Sequence, residues 1–106
     1  MGRGEYLGEF EQIVLLAVAR LGADGYGMQI RREIEARTDR AVTIGAVYAT
    51  LDRLEAKKLV DSKRSNVDGV SRRLFSVTAN GARALADSRA MRERLWKGVD
   101  LRLLLD

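Results

Sequence analysis

The spacing of apolar residues changes period twice along this chain, and this change constrains the fold more than any other feature of the sequence. Up to residue 58 the apolar residues recur with helical spacing, and from residue 79 onward they do so again. Between these segments, two short β-prone runs flank a stretch rich in turn residues. The pattern therefore predicts a mainly helical fold that carries one small β-hairpin.

Three helices are predicted before the hairpin, at residues 8–21, 26–37 and 44–58. Thr43 precedes the third of them and is a residue type preferred at helix N-caps. The apolar seam of this third helix is narrow, and its other faces carry mostly small or amphipathic side chains near its start. We interpret the seam as core; it consists of Val47, Leu51 and Leu54.

The hairpin is predicted to consist of strands at 59–64 and 72–77, joined by a flexible loop at 65–71. Because side chains alternate along a strand, Phe75 and Val77 are expected to face the core together.

The last helix is predicted at 79–96, with Thr78 as its N-cap, and an apolar tail follows it. A monomer would struggle to cover Trp96, Val99 and four leucines so near one end of the chain. We therefore predict two units: an N-terminal domain at 1–78, and a dimerisation helix with its tail at 79–106.

The residue types that are missing exclude several kinds of function. The chain has no cysteine and no histidine, so disulfides, zinc–thiolate sites and histidine bases are impossible. It also shows no paired carboxylates, phosphate-cradling loop or metal-ligand cluster. We expect no enzyme activity, no cofactor and no metal. Without a secretory signal or a long apolar run, the protein is expected in the cytoplasm and not in a membrane.

The positive charge of the chain is concentrated in one segment. Between Arg53 and Arg73 lie seven basic and three acidic residues, an excess equal to the whole net charge of +4. Such a localised cationic segment is typical of proteins that bind nucleic acid.

The order of two helices, a short turn, a third helix and a basic hairpin predicts a winged helix-turn-helix. In this motif the second helix of the helix-turn-helix unit enters the major groove of DNA, so its start must be slim and poor in acids. The hairpin, or wing, would then contact phosphates or a minor groove. The candidate DNA-binding residues are Thr43, Gly45, Ala46, Tyr48, Ala49 and Arg53 in the third helix, and Lys63, Arg64, Arg72 and Arg73 in the wing.

The sequence also resembles a known family. The segments VTIGAVYATLDRLEAKKLV and LFSVTANGARAL, with Arg72-Arg73 between them, are similar to the PadR family of bacterial winged-helix regulators. The opening segment LGEFEQIVLLAVARLGADGYGMQIRREIE is similar as well. The chain departs from the family at Lys58, where members often have glycine, and at Leu74 and Phe75, where many have tyrosine. It also has only one C-terminal helix and a tail, whereas larger members have a longer C-terminal helical domain.

The resemblance implies a transcriptional regulator that usually represses and that binds a palindromic operator as a homodimer. It implies that the C-terminal helix forms the dimer, and that a small hydrophobic or aromatic effector binds near Trp96. The candidate interface residues are Leu85, Arg89, Arg92, Trp96 and Val99.

Each of these interpretations has a plainer alternative. Tyr48 is also typical of a half-buried packing residue with a hydrated hydroxyl. The wing cations are also typical of a solvated hairpin that resists aggregation, and Trp96 of an interface anchor without a ligand. The alternative function is that of a winged-helix module that binds a protein partner and has no DNA role. Such an interface would be expected to carry less charge at its centre.

Overall fold

A computed structural model describes residues 7–105, and the outer ends of both predicted units, residues 1–6 and 106, lie outside the described residues. The fold is mainly helical with a small antiparallel sheet, as predicted. The elements are α1 (Glu9–Leu21), β1 (Gly25–Tyr26), α2 (Gly27–Thr38), α3 (Ile44–Ala56), β2 (Val60–Val67), β3 (Val70–Val77), α4 (Ala79–Trp96) and α5 (Arg102–Leu105).

Both threonines predicted as N-caps have that role. The Thr43 hydroxyl accepts a hydrogen bond from the Ala46 amide at 3.1 Å, and the Thr78 hydroxyl accepts one from the Gly81 amide at 2.9 Å. These bonds satisfy amides that have no partner within the helix. The starts of α3 and α4 are therefore determined by local sequence.

Helix α3 ends at Ala56, two residues before the predicted end. Lys58 adopts a left-handed conformation, with φ of 65°. The Leu59 amide donates to the Leu54 carbonyl and the Lys58 amide to the Glu55 carbonyl, both at 2.9 Å. This pattern is a Schellman motif, which glycine usually closes. Lysine here makes a left-handed turn in which glycine is the more usual residue.

The wing is a tight hairpin, and the predicted flexible loop at 65–71 is wrong. Pairing between β2 and β3 continues from Val60↔Val77 to Val67↔Val70. Only Asp68 and Gly69 form the turn, with φ of 54° and 76°. Positive φ at both central residues is the geometry of the type I′ turn that Asp-Gly favours. The strands are therefore longer than predicted.

A third strand, which the sequence analysis missed, joins this sheet. Gly25 pairs with Phe75 and Tyr26 with Leu74, so the strand order is β1-β3-β2. Tyr26, predicted to begin the second helix, is the N-cap of α2, and its amide donates to Gln29 Oε1 at 3.2 Å. A two-residue strand has too few residues to show a period of its own.

The core lies between the three N-terminal helices and the base of the wing. Phe75 is fully buried and Val77 packs against the same cluster, as predicted. The buried apolar residues are Val14, Leu15, Ala17, Val18, Ile30, Ile34, Val47, Leu51, Leu54, Val60 and Phe75. This shared core holds α3 and the wing in one rigid relation.

Candidate nucleic-acid interface

The exposed face in the first half of α3 is built from very small side chains. Gly45, Ala46 and Ala49 are exposed, whereas Val47 and Leu51 on the opposite face are fully buried. The first turn of the helix contains no acidic residue. The backbone of α3 can therefore approach another surface closely without steric or like-charge conflict.

Tyr48 is half-buried beside this face. Its ring lies 6.4 Å from the Phe75 ring, at an interplanar angle of 55°. Its hydroxyl end packs against Gly27, where an added Cβ would overlap the tyrosine ring. The structure thus gives Tyr48 a packing role at the α2–α3 contact, and its predicted contact with DNA stays a prediction.

Arg53 lies on the side of α3 that faces α1. Its Nη2 donates to the Thr50 hydroxyl at 3.0 Å, and its Nε lies 3.9 Å from Glu11 Oε2. Lys57 also binds Glu11, at 2.8 Å, and this hydrogen bond lowers the pKa of the Glu11 carboxyl. Arg53 therefore helps to join α3 to α1, while more than half of its side chain remains exposed.

The four basic wing residues lie on two different faces of the hairpin. Arg64 is directly opposite Arg73 in the register of β2 and β3, so these two share one face. Lys63 precedes Arg64 in β2 and Arg72 precedes Arg73 in β3, so both point to the other face. The four residues were predicted as one DNA-binding set, but their positions in the sheet divide them into two pairs.

The Lys63–Arg72 pair lies on the same side of the sheet as Tyr26 of β1. The Arg72 guanidinium stacks over the Tyr26 ring, 4.1 Å from its centroid. Arg32 Nη2 of α2 reaches the Tyr26 hydroxyl at 3.4 Å. Lys63 Nζ lies 3.7 Å from Asp24. The missed strand thus brings cations from α2 and the wing together.

Arg73 faces α3 and is engaged there. Its Nη1 lies 3.0 Å from Asp52 Oδ1, its Nη2 pairs with Glu55, and its Nε donates to the Ser62 hydroxyl at 3.3 Å. Burial alone would lower the pKa of Arg73, but the hydrogen bonds to Glu55 and Asp52 raise it. A hydrogen bond from Ser62, with support from Arg73, lowers the pKa of Glu55. Arg73 thus has carboxylate partners within the protein, and its predicted contact with DNA stays a prediction.

The C-terminal part of α4 and α5 exposes a broad apolar surface. Trp96 is 52% exposed and Leu103 is 79% exposed. Other large apolar side chains that are exposed in this region are Leu95, Val99, Leu101, Leu104 and Leu105. A folded monomer leaves this surface in water, which is typical of an association site.

A groove of about 500 Å³ runs between α1 and α4 and brings most of the predicted interface residues together. Leu85, Arg89, Arg92 and Trp96 line it, whereas Val99 is exposed beyond the end of α4. Leu16 of α1, which was not among the predicted interface residues, is exposed and also lines this groove. The sequence signal for an apolar residue outside the core was the unbroken apolar run at 13–19, since it puts apolar side chains on several faces of α1.

The family of the chain follows from its sequence. Residues 15–87 match the model of the transcriptional regulator PadR-like family. The chain belongs to the PadR family. It is 35% identical to the transcriptional regulator Rv3488 of Mycobacterium tuberculosis over 94 residues, which cover 86% of this chain and 87% of that protein.

Solved structures of PadR proteins share the fold. A PadR family transcriptional regulator from Eggerthella lenta matches with a TM-score of 0.72 and 24% identity, over 92% of this chain and 88% of the other. A PadR-like transcriptional regulator from Bacillus cereus matches with a TM-score of 0.73 and 19% identity, over 92% of each chain. The predicted winged-helix fold and the resemblance to PadR proteins are both confirmed.

Membership of the PadR family also sets the class of function. The protein is a transcriptional regulator and not an enzyme, as predicted. Within residues 7–105, no helix combines the length and apolar character needed to cross a membrane.

Proposed function

We propose that this PadR-family regulator binds duplex DNA as a homodimer and represses transcription from a palindromic operator. The observation that carries the proposal is the small-residue face of α3 next to a wing that bears exposed cations. Winged helix-turn-helix proteins place the corresponding helix in the major groove, which admits one helix.

In this proposal α3 and the wing have different tasks. Gly45, Ala46 and Ala49 let the start of α3 approach base edges closely, while Thr43 and nearby first-turn amides hold a phosphate. Arg64, exposed on the wing, contacts the phosphate backbone or a minor groove. Tyr48 and Arg53 lie at the margin of this surface. Lys63 and Arg72, on the other face of the hairpin from Arg64, extend the proposed DNA-binding surface.

Operator palindromy would follow from pairing of two copies through the C-terminal helix. A two-fold dimer presents two identical recognition helices, so its operator has two related half-sites. The exposed apolar surface of α4 and α5, with Leu16 of α1, supports this pairing. The predicted boundary between the DNA-binding unit and the dimerisation helix, at residue 78, remains part of the proposal. The first turn of α4 packs at Gly81 against the Leu59 carbonyl, so that turn is structurally continuous with the DNA-binding unit.

We expect Trp96→Glu to weaken the dimer by roughly thirtyfold or more, because it places a charge at an aromatic anchor that the proposed pairing would bury. Sedimentation velocity over a range of protein concentrations measures the change. Ala90→Glu is the matched control, since it adds the same charge at an exposed position of α4 that does not line the groove. Equal dimerisation of the Trp96 variant and the wild type would contradict this interface.

The same groove would accept the effector. A small hydrophobic or aromatic molecule stacked on Trp96 would lie between α1 and α4, where it can alter the distance between the two recognition helices. The groove volume and its apolar side chains, Leu16 and Leu85, support this use.

DNA binding is tested with a duplex that the protein itself selects. The protein is used to enrich binders from a random-sequence duplex pool, and the enriched duplex is labelled and titrated by fluorescence anisotropy at several salt concentrations. We expect log Kobs to fall linearly with log salt, by roughly 0.9 per phosphate contacted. No enrichment, or no binding at low salt, would contradict the proposal and favour the protein-docking alternative.

A further inference from the structure

In addition to the shared core, a polar cluster at the surface joins the wing to α3. Arg73 of β3 contacts Asp52 and Glu55 of α3, and Ser62 of β2 donates to Glu55 at 2.7 Å. The cluster therefore joins both wing strands to the helix that is proposed to read DNA.

Arginine is the residue type suited to this junction. Its planar guanidinium presents several N–H donors in a fixed arrangement, so it can bind two carboxylates and a hydroxyl at the same time. The Arg73 side chain is only 27% exposed, and its guanidinium carbon lies 4.9 Å from the centroid of the Phe75 ring. Its charge is thus held between the core and α3, away from open solvent.

Arg73 also offsets part of the negative charge of two acids that lie close to the proposed DNA surface. Asp52 and Glu55 are on the same helix as Ala49, one and two turns further along. Without Arg73, both carboxylates would repel a phosphate backbone nearby.

Arg64 provides the contrast. It is the cross-strand neighbour of Arg73, but it is exposed and forms no ion pair with any residue of the described range 7–105. Its guanidinium is therefore available to an external anion, whereas that of Arg73 is occupied.

We infer that Arg73 is a positioning residue, which sets the wing against α3 without touching DNA. This inference rests on the proposed DNA binding. It assigns phosphate contact to Arg64 and an internal role to Arg73, although the two residues are of the same type and directly opposed in the hairpin.

Glu55→Gln is the decisive variant. It removes a negative charge, so a protein in which Arg73 bound phosphate would bind the enriched duplex more tightly, with the arginine released. A positioning role predicts the opposite: affinity lower by roughly tenfold, because the wing loses an attachment to α3. Equal or tighter binding by Glu55→Gln would overturn the inference.

Arg73→Lys tests the same role while the charge is kept. Lysine binds phosphate well as a point charge but cannot bridge both carboxylates and the Ser62 hydroxyl. We expect affinity to fall by roughly tenfold at every salt concentration, with the salt slope unchanged. Wild-type affinity of this variant would count against the inference.

Arg64 supplies the matched controls. Arg64→Lys should bind like the wild type, and Arg64→Gln should reduce the salt slope by about one contact. Circular dichroism and thermal melting establish that each variant is folded at the temperature of the titration; if Arg73→Lys is not, Glu55→Gln decides. If the wild type enriches no duplex, the proposed function fails; if it binds and these variants match it, only the positioning role fails.

Discussion

Replacing Ala49 with glutamate is expected to abolish binding to duplex DNA while the protein stays folded. Ala49 is exposed in the middle of the small-residue face of α3, so the new side chain would enter the major groove of the proposed complex. There it would prevent close approach and place a carboxylate among phosphates. Glutamate is itself a good helix former, so α3 should be preserved. We expect affinity for the enriched duplex to fall by roughly a hundredfold or more, since misplaced charges at interfaces cost several kcal/mol.

Ala36→Glu is the control for this prediction. It adds the same charge at an exposed alanine of α2, away from the proposed contact surface, and should leave affinity within about threefold of the wild type. Anisotropy titration of both variants at one salt concentration gives the comparison. Equal losses in the two variants would mean that net charge matters and the α3 face does not.

Replacing Gly81 with alanine is expected to have the largest effect on stability, a loss of about 3 kcal/mol in the free energy of unfolding. A Cβ at this position would overlap the carbonyl oxygen of Leu59 and lie 2.8 Å from Val77 Cγ1. The Leu59 carbonyl cannot move away freely, because it accepts a hydrogen bond from the Thr78 amide at 3.0 Å. The clash is therefore with fixed backbone, and α4 would have to separate from the base of the wing.

Gly45→Ala is the opposite case and serves as the control. A Cβ there meets no atom within 4 Å, and the residue lies in a helix. Alanine should therefore stabilise the protein by about 0.5–1 kcal/mol, the ordinary gain over glycine in a helix. Urea denaturation measures both variants. A Gly81→Ala protein as stable as the wild type would show that α4 does not pack as closely as described.

The elements that could be predicted from sequence are those with local determinants. The caps Thr43 and Thr78 bond to amides three residues away, and the apolar seam of α3 repeats within one helix. The Asp68-Gly69 turn also had a local signal, the Asp-Gly dipeptide, which the sequence analysis did not use. The resemblance to PadR proteins, carried mainly by α3 and the wing, was confirmed for the same reason: it rests on runs of adjacent residues.

The amino-acid sequence by itself therefore determined the order of helices and hairpin, the location of the positive charge and the family. Only the tertiary structure decided the partners of particular side chains: Arg73 with Glu55, Tyr48 against Gly27, and Leu16 in the groove beside Trp96. The physical reason is distance along the chain. Arg73 and Glu55 are 18 residues apart and meet only because the pairing register of β2 and β3, fixed by a two-residue turn, places that arginine on the face of the wing that packs against α3.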